Sequence, residues 1–145
     1  MLKEHIILII LSVFSMEDIM KRRIHLALVL IFFASGILYQ ILLGKVILIE
    51  ILGGILVGII LIGISRLTEE AIGYGDGLIF LVTGVFLGIW ENLNLLFTSL
   101  IIAFIYSSIQ ILLRKKDTKD EIPFVPFIWI ADLLHLGGLY YEKIF

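Results

Sequence analysis

Two aspartates, Asp18 and Asp76, lie where long apolar segments meet short polar stretches, and Asp76 has glycines on both sides within residues 73–77. Two carboxyl groups brought together in a half-buried site cannot both ionise cheaply, so the pair shares a proton. The ionised carboxylate can take a proton from water, and the protonated one can polarise a peptide carbonyl. These two roles are the chemistry of an aspartic protease, which requires no metal or cofactor.

Each aspartate also has a purely structural explanation. Asp76 could be the N-cap of the helix that follows it, and Asp18 could be a solvated helix end. Glu17 points about 100° away from Asp18 on a helix, so we expect it to act on the site only through its charge. Gly73 and Gly75 would allow positive φ angles and a close approach to a substrate strand. A single Gly-x-Gly-Asp segment indicates catalysis only weakly.

The composition indicates an integral membrane protein. Of the 145 residues, 61% are hydrophobic, against roughly 45–50% in soluble domains, so the lipid bilayer is an expected partner. The chain has no cysteine, which excludes disulfides and thiol catalysis. His5, His25 and His135 are too far apart in the sequence to indicate a metal site. No basic face indicates nucleic-acid binding.

The apolar segments predict an all-α membrane protein, a bundle of six transmembrane helices that forms a single domain over residues 1–145. The predicted spans are residues 2–20, 24–43, 46–64, 77–90, 95–113 and 123–139. A turn is predicted at residues 91–94, and Pro123 is predicted to open the last span. Gly54 and Gly58, and likewise Gly84 and Gly88, have the spacing that lets helix backbones pack closely.

The distribution of Lys and Arg predicts how these spans are oriented. With the loop after the first span in the cytoplasm, eight of the eleven basic residues lie inside. These eight are Lys21, Arg22, Arg23, Arg66, Arg114, Lys115, Lys116 and Lys119. Both chain termini are then expected outside the cell membrane, while Asp18 and Asp76 both lie at its cytoplasmic edge.

Three segments resemble the type IV prepilin peptidases, membrane aspartic peptidases that also include the archaeal preflagellin peptidases. Residues 15–24 are similar to the family's pattern of an Asp followed by basic residues and Ile-Pro-Asn. Residues 73–76 are similar to its Gly-x-Gly-Asp. Residues 122–127 read Ile-Pro-Phe-Val-Pro-Phe, very like its Ile-Pro-Phe-Gly-Pro-Phe. The three segments occur in the family's order and spacing, and together they extend over almost the whole chain.

The resemblance implies that Asp18 and Asp76 are the catalytic pair. It implies cleavage of prepilins or prepilin-like proteins after a short basic leader, usually after a Gly, on the cytoplasmic side. The residues expected to support the site are Gly73, Tyr74, Gly75, Gly77, Ile122, Pro123, Phe124, Pro126 and Phe127.

The chain departs from the family's pattern at several positions. His25 and Leu26 replace the usual Pro-Asn, Leu78 replaces a frequent Lys, and Val125 replaces a Gly. Substrate recognition is therefore expected to differ in detail. Many members also methylate the new N-terminus through an added region that often contains Cys-x-x-Cys pairs. Because the chain has no Cys and no such loop, we expect a peptidase without methyltransferase activity.

A second hypothesis is a small polytopic transporter or assembly factor that uses Asp18, Asp76 and Asp132 as proton or ion sites. A transporter should place such acids near the middle of the bilayer, and only Asp132 is predicted to lie there. His135 is three residues from Asp132 and shares its helix face. The two are expected to pair in the bundle interior.

Overall fold

The computed structural model describes residues 2–44, 47–68, 73–113 and 122–144, with the side chains of 140 and 142–144 left aside. Five helices span these residues: α1 (Leu2–Lys21), α2 (Leu26–Leu42), α3 (Leu48–Leu67), α4 (Tyr74–Leu112) and α5 (Val125–Ile144). The predicted all-α class is confirmed. The strongly charged loop at 114–121 and the predicted start of the third span at Val46 lie outside the described residues.

Helix α4 is broken by a sharp bend at Gly88 into two helical arms, so the described residues hold six helical stretches, and that all six cross a membrane stays a prediction. Gly88 has φ 77° and ψ −174°, a conformation that is essentially restricted to glycine. In a straight helix, Phe80 and Asn92 would lie about 18 Å apart along the axis. Instead, Asn92 Nδ2 donates a hydrogen bond to the Phe80 carbonyl at 2.9 Å. The helix therefore folds back into a first arm, residues 74–87, and a second arm, residues 89–112.

The turn predicted at residues 91–94 is wrong, since these residues are helical. The polar character of Asn92 has another cause: its buried amide hydrogen-bonds the backbone that the bend brings together. Asn92 Nδ2 also donates to Gly54 of α3 at 3.0 Å, and Thr83 Oγ1 donates to Asn92 Oδ1 at 2.7 Å. Gln40 of α2 donates to the Val85 carbonyl at 2.7 Å. Such partners matter in lipid, where no water can satisfy a free carbonyl.

Gly88→Ala is expected to destabilise the protein by about 1–3 kcal/mol, because alanine is strained at this φ and ψ. Thermal unfolding of the purified variant in detergent measures the effect. Gly137→Ala is the control, since a Cβ on Gly137 would meet open space. Equal unfolding temperatures for the two variants would show that the bend does not depend on glycine.

Close glycine contacts hold α3 antiparallel to the first arm of α4. A Cβ on Gly54 would collide with the carbonyl of Gly84, and a Cβ on Gly58 would collide with the backbone of Leu81. The predicted close-packing function of these glycines is confirmed. The contact continues to the start of α4, where a Cβ on Gly77 would lie 2.9 Å from the Ile62 backbone nitrogen. This packing fixes the position of Asp76 along the axis of α3.

Helix α5 packs against α1, and this contact positions Asp18. Trp129 Nε1 donates a hydrogen bond to Ser12 Oγ at 2.8 Å across the two helices. The interior includes Phe14 of α1, Phe80 and Phe86 of α4, and Ile128 of α5. The end of α1 and the start of α5 are therefore held side by side.

The outer surface of the bundle is apolar. Helices α3 and α4 are each long and apolar enough to cross a membrane. Large hydrophobic side chains such as Ile9, Met20 and Phe104 are mostly exposed, and a continuous surface of this kind would not be stable in water. The surface is therefore suited to contact with lipid.

Candidate active site

A cleft of about 440 Å³ brings together parts of all three sequence segments singled out above. Its lining residues are Asp18, Arg22, Arg23, Ile24, Gly73, Tyr74, Gly75, Asp76, Ile122, Pro123 and Phe124. Residues more than a hundred positions apart in the chain thus meet at one end of the bundle. Gly77, Pro126 and Phe127, also expected to support the site, do not line the cleft.

Asp18 lies in the last turn of α1 and faces the start of α5. Its Oδ2 accepts a hydrogen bond from the backbone N–H of Val125 at 3.2 Å. Val125 is the first residue of α5, so this N–H belongs to the helix's first turn and has no partner within the helix. The positive end of the α5 dipole also favours a carboxylate here. The start of α5 thus helps to hold the first aspartate.

Asp76 is the third residue of α4, and the N-cap is Gly73. The alternative that Asp76 is itself the N-cap is therefore wrong. Its carboxylate interacts with the backbone of Gly73, as an acidic residue at this helix position does in a capping box. This contact and the packing of Gly77 leave the Asp76 side chain little freedom.

The glycines of this segment are required by close contacts and not by positive φ angles. Gly73 has φ −59°, so the expectation of a positive φ there is wrong. A Cβ on Gly73 would lie 2.7 Å from Asp76 Oδ2, and one on Gly75 would lie 2.8 Å from the Ile24 side chain. Gly73 therefore leaves room for the carboxylate, and Gly75 lets the loop after α1 approach α4.

Gly73→Ala is expected to lower the rate of the reaction about 10²-fold, because the new methyl group displaces the Asp76 carboxylate and small misplacements of catalytic groups are costly. The unfolding temperature should change little, since the conflict is with one side chain at the edge of a cleft. Steady-state kinetics of the purified variant, beside Gly137→Ala, measures the effect. Wild-type kinetics would contradict the proposed constraint on Asp76.

The two carboxylates act on one another. Each is partly buried, both line the same cleft, and the charge of Asp18 reaches Asp76. Arg22 contributes a positive charge near Asp18. Two interacting carboxylates beside an open cleft can hold one proton between them and handle a water molecule. The geometry therefore permits general acid–base hydrolysis.

Glu17 has a larger structural function than the sequence indicated. Its Oε2 accepts a hydrogen bond from the His25 backbone N–H at 3.0 Å, and its Oε1 contacts the His25 ring. Lys21 Nζ lies 4.0 Å from Glu17 Oε1. These contacts tie down the loop that carries Arg22 and Arg23. The spacing of Glu17 and Lys21, four residues apart, was a signal that could have revealed part of this.

The other residues expected to support the site pack against neighbouring side chains or lie in the first turn of α5. Tyr74 is 37% exposed, and the Arg66 guanidinium carbon lies 5.6 Å from its ring centroid. Phe127 is buried against Tyr106, with ring centroids 5.2 Å apart. Pro126 occupies the first turn of α5, where proline is tolerated. The helix begins at Val125, two residues later than predicted from Pro123.

The family model described as the type IV leader peptidase family matches residues 5–108, which include both aspartates of the cleft. No curated protein and no solved structure matches the chain.

Proposed function

The chain belongs to the type IV leader peptidase family, and we propose that it is an aspartic endopeptidase that removes the short basic leader of type IV prepilins or prepilin-like proteins. Family membership and the apolar α3 and α4 make it a membrane protein with protease activity. The observation that carries the proposal is the meeting of Asp18 and Asp76, from two different helices, in one open cleft.

In the proposed mechanism, the ionised aspartate removes a proton from water while the protonated aspartate donates a hydrogen bond to the scissile carbonyl. The resulting hydroxide attacks the carbonyl carbon. The tetrahedral intermediate then collapses, and the leaving amine takes a proton from the first aspartate. Arg22 and the Val125 N–H lie near Asp18, and both favour Asp18 as the ionised member. These steps need no metal or cofactor.

We propose that the cleft opens at the cytoplasmic face, with both chain termini outside. Support comes from the basic residues Arg22 and Arg23 at its rim and from the general excess of Lys and Arg in cytoplasmic loops. Because the chain has no cysteine, single cysteines at positions 23 and 47 can be labelled in intact cells with a membrane-impermeant reagent. Labelling at 47 alone supports this orientation, and labelling at 23 alone reverses it.

The activity can be tested with purified chain in lipid vesicles and a peptide that contains a basic leader followed by an apolar helix. We expect one cleavage, with product masses that correspond to loss of the leader. The same masses show whether the new N-terminus carries a methyl group. A folded chain that leaves every such peptide intact would contradict the proposed function.

A further inference from the structure

A second cleft, of about 390 Å³, lies toward the opposite end of the bundle. Glu4 lines it, and in α1 Glu4 is fourteen residues from Asp18, or about 21 Å along the helix axis. Its other polar lining residues are Glu91 and Asn94 of α4 and Asp132 and His135 of α5. This cleft shares no lining residue with the aspartate pair, so the proposed peptidase mechanism does not use it.

Asp132 is the most informative residue of this cleft. It is only 6% exposed, and its Oδ2 has no hydrogen-bond partner among the described residues. The expected partner, His135, instead has its Nε2 3.1 Å from Thr98 Oγ1 of α4. A buried carboxylate oxygen without a partner is costly. Its position on the cleft lining leaves this oxygen open to a donor held in the cleft.

The charges around Asp132 favour a cation. The carboxylate of Glu4 is close enough to act on Asp132 electrostatically. Glu91 is already paired, with Lys3 Nζ 2.6 Å from its Oε2. Asp132 is therefore a carboxyl group of this lining whose Oδ2 has no partner among the described residues.

The shape of the cleft favours an organic cation over a metal ion. No three acidic or histidine side chains among the described residues are placed to hold a metal. The volume is that of a small-molecule pocket, and leucines such as Leu87 and Leu139 line it beside the acids. A primary ammonium group has three N–H donors for the oxygens, and an attached carbon chain can lie against the leucines.

We propose that this second cleft binds the primary ammonium group of a small amphipathic molecule, with Asp132 as its carboxylate partner and the charge of Glu4 nearby. The ammonium can come from a lipid headgroup or from a soluble amine. A ligand held there bridges α1 and α5, so its binding stabilises the folded bundle by mass action.

The test is thermal unfolding of the full chain in detergent with three additions: ethanolamine hydrochloride, phosphatidylethanolamine in mixed micelles, and phosphatidylcholine in mixed micelles. Tetramethylammonium chloride at equal ionic strength is the control, because it has no N–H donor. We expect the unfolding temperature to rise by several degrees with a primary ammonium, and not to rise with tetramethylammonium or phosphatidylcholine. A rise with phosphatidylethanolamine alone identifies a lipid headgroup, and a rise with ethanolamine identifies a soluble amine.

Two variants locate the effect. Asp132→Asn is expected to abolish the rise, and Glu4→Gln, which keeps Asp132, is expected to require at least tenfold more ligand for the same rise. Glu50→Gln, outside this cleft, should respond like wild type. If no primary ammonium raises the unfolding temperature, or if it does so equally in Asp132→Asn and Glu4→Gln, the proposal is overturned.

Discussion

Replacing either Asp18 or Asp76 with Asn is expected to lower kcat for leader cleavage by about 10³-fold or more. Asn has nearly the same shape as Asp but can neither take a proton from water nor give one to a leaving group. Both carboxylates line one cleft and serve one proton-transfer sequence. The reductions in kcat caused by the two single substitutions should therefore not combine in the double variant. We expect the double variant to be about as slow as the slower single variant.

The measurement is steady-state kinetics with a leader-containing peptide, together with the unfolding temperature of each variant. Glu50→Gln is the matched control, since Glu50 lies in the first turn of α3 and does not line this cleft. Full activity of Asp18→Asn would remove Asp18 from the mechanism. Losses that multiply in the double variant would indicate two independent functions and not one pair.

Gly54→Ala is expected to destabilise the protein by about 3 kcal/mol, the upper part of the range for overpacking a tight interface. The added Cβ would collide with the Gly84 carbonyl and lie 2.9 Å from the carbonyl carbon of Gly88. Both neighbours are backbone atoms at the bend of α4, so they cannot rotate away. For a chain of this size the expected fall in unfolding temperature is roughly 10 °C.

Gly63→Ala provides a control in the same helix. A Cβ on Gly63 would meet nothing within 4 Å, so this variant should be neutral or gain up to about 1 kcal/mol from helix propensity. Thermal unfolding of both variants in the same detergent gives the comparison. Equal unfolding temperatures would mean that α3 and α4 are not held together by the contact at Gly54.

Much of the helical architecture could be predicted from the sequence, because apolar runs between charged or glycine-containing stretches have few other structures available in lipid. The bend of α4 was placed incorrectly for a physical reason. Residues 91–94 look like a turn because they are polar, but Asn92 uses its amide inside the bundle. Gly88, read as a packing residue, also has the φ of 77° at which the helix breaks. Sequence spacing alone does not distinguish these two uses of a glycine.

The sequence predicted which residues form the candidate site, but it did not predict the contacts that these residues make. Asp18, Asp76 and the segment at 122–124 were singled out by residue type and resemblance, and they line one cleft. That Val125 donates its N–H to Asp18 depends on how α5 packs on α1, which no local pattern encodes. The same holds for Glu17, whose partner His25 is reached only because the chain turns back after α1.

Whether Asp18 and Asp76 form one peptidase site is tested most directly by co-expression of the chain with candidate prepilin-like proteins in a host that has no leader peptidase of its own. Mass spectrometry would follow loss of the basic leader with wild type, Asp18→Asn and Asp76→Asn. We expect cleavage by wild type and none by either variant. Cleavage by all three chains, or by none of them while wild type is folded in the membrane, would contradict this expectation.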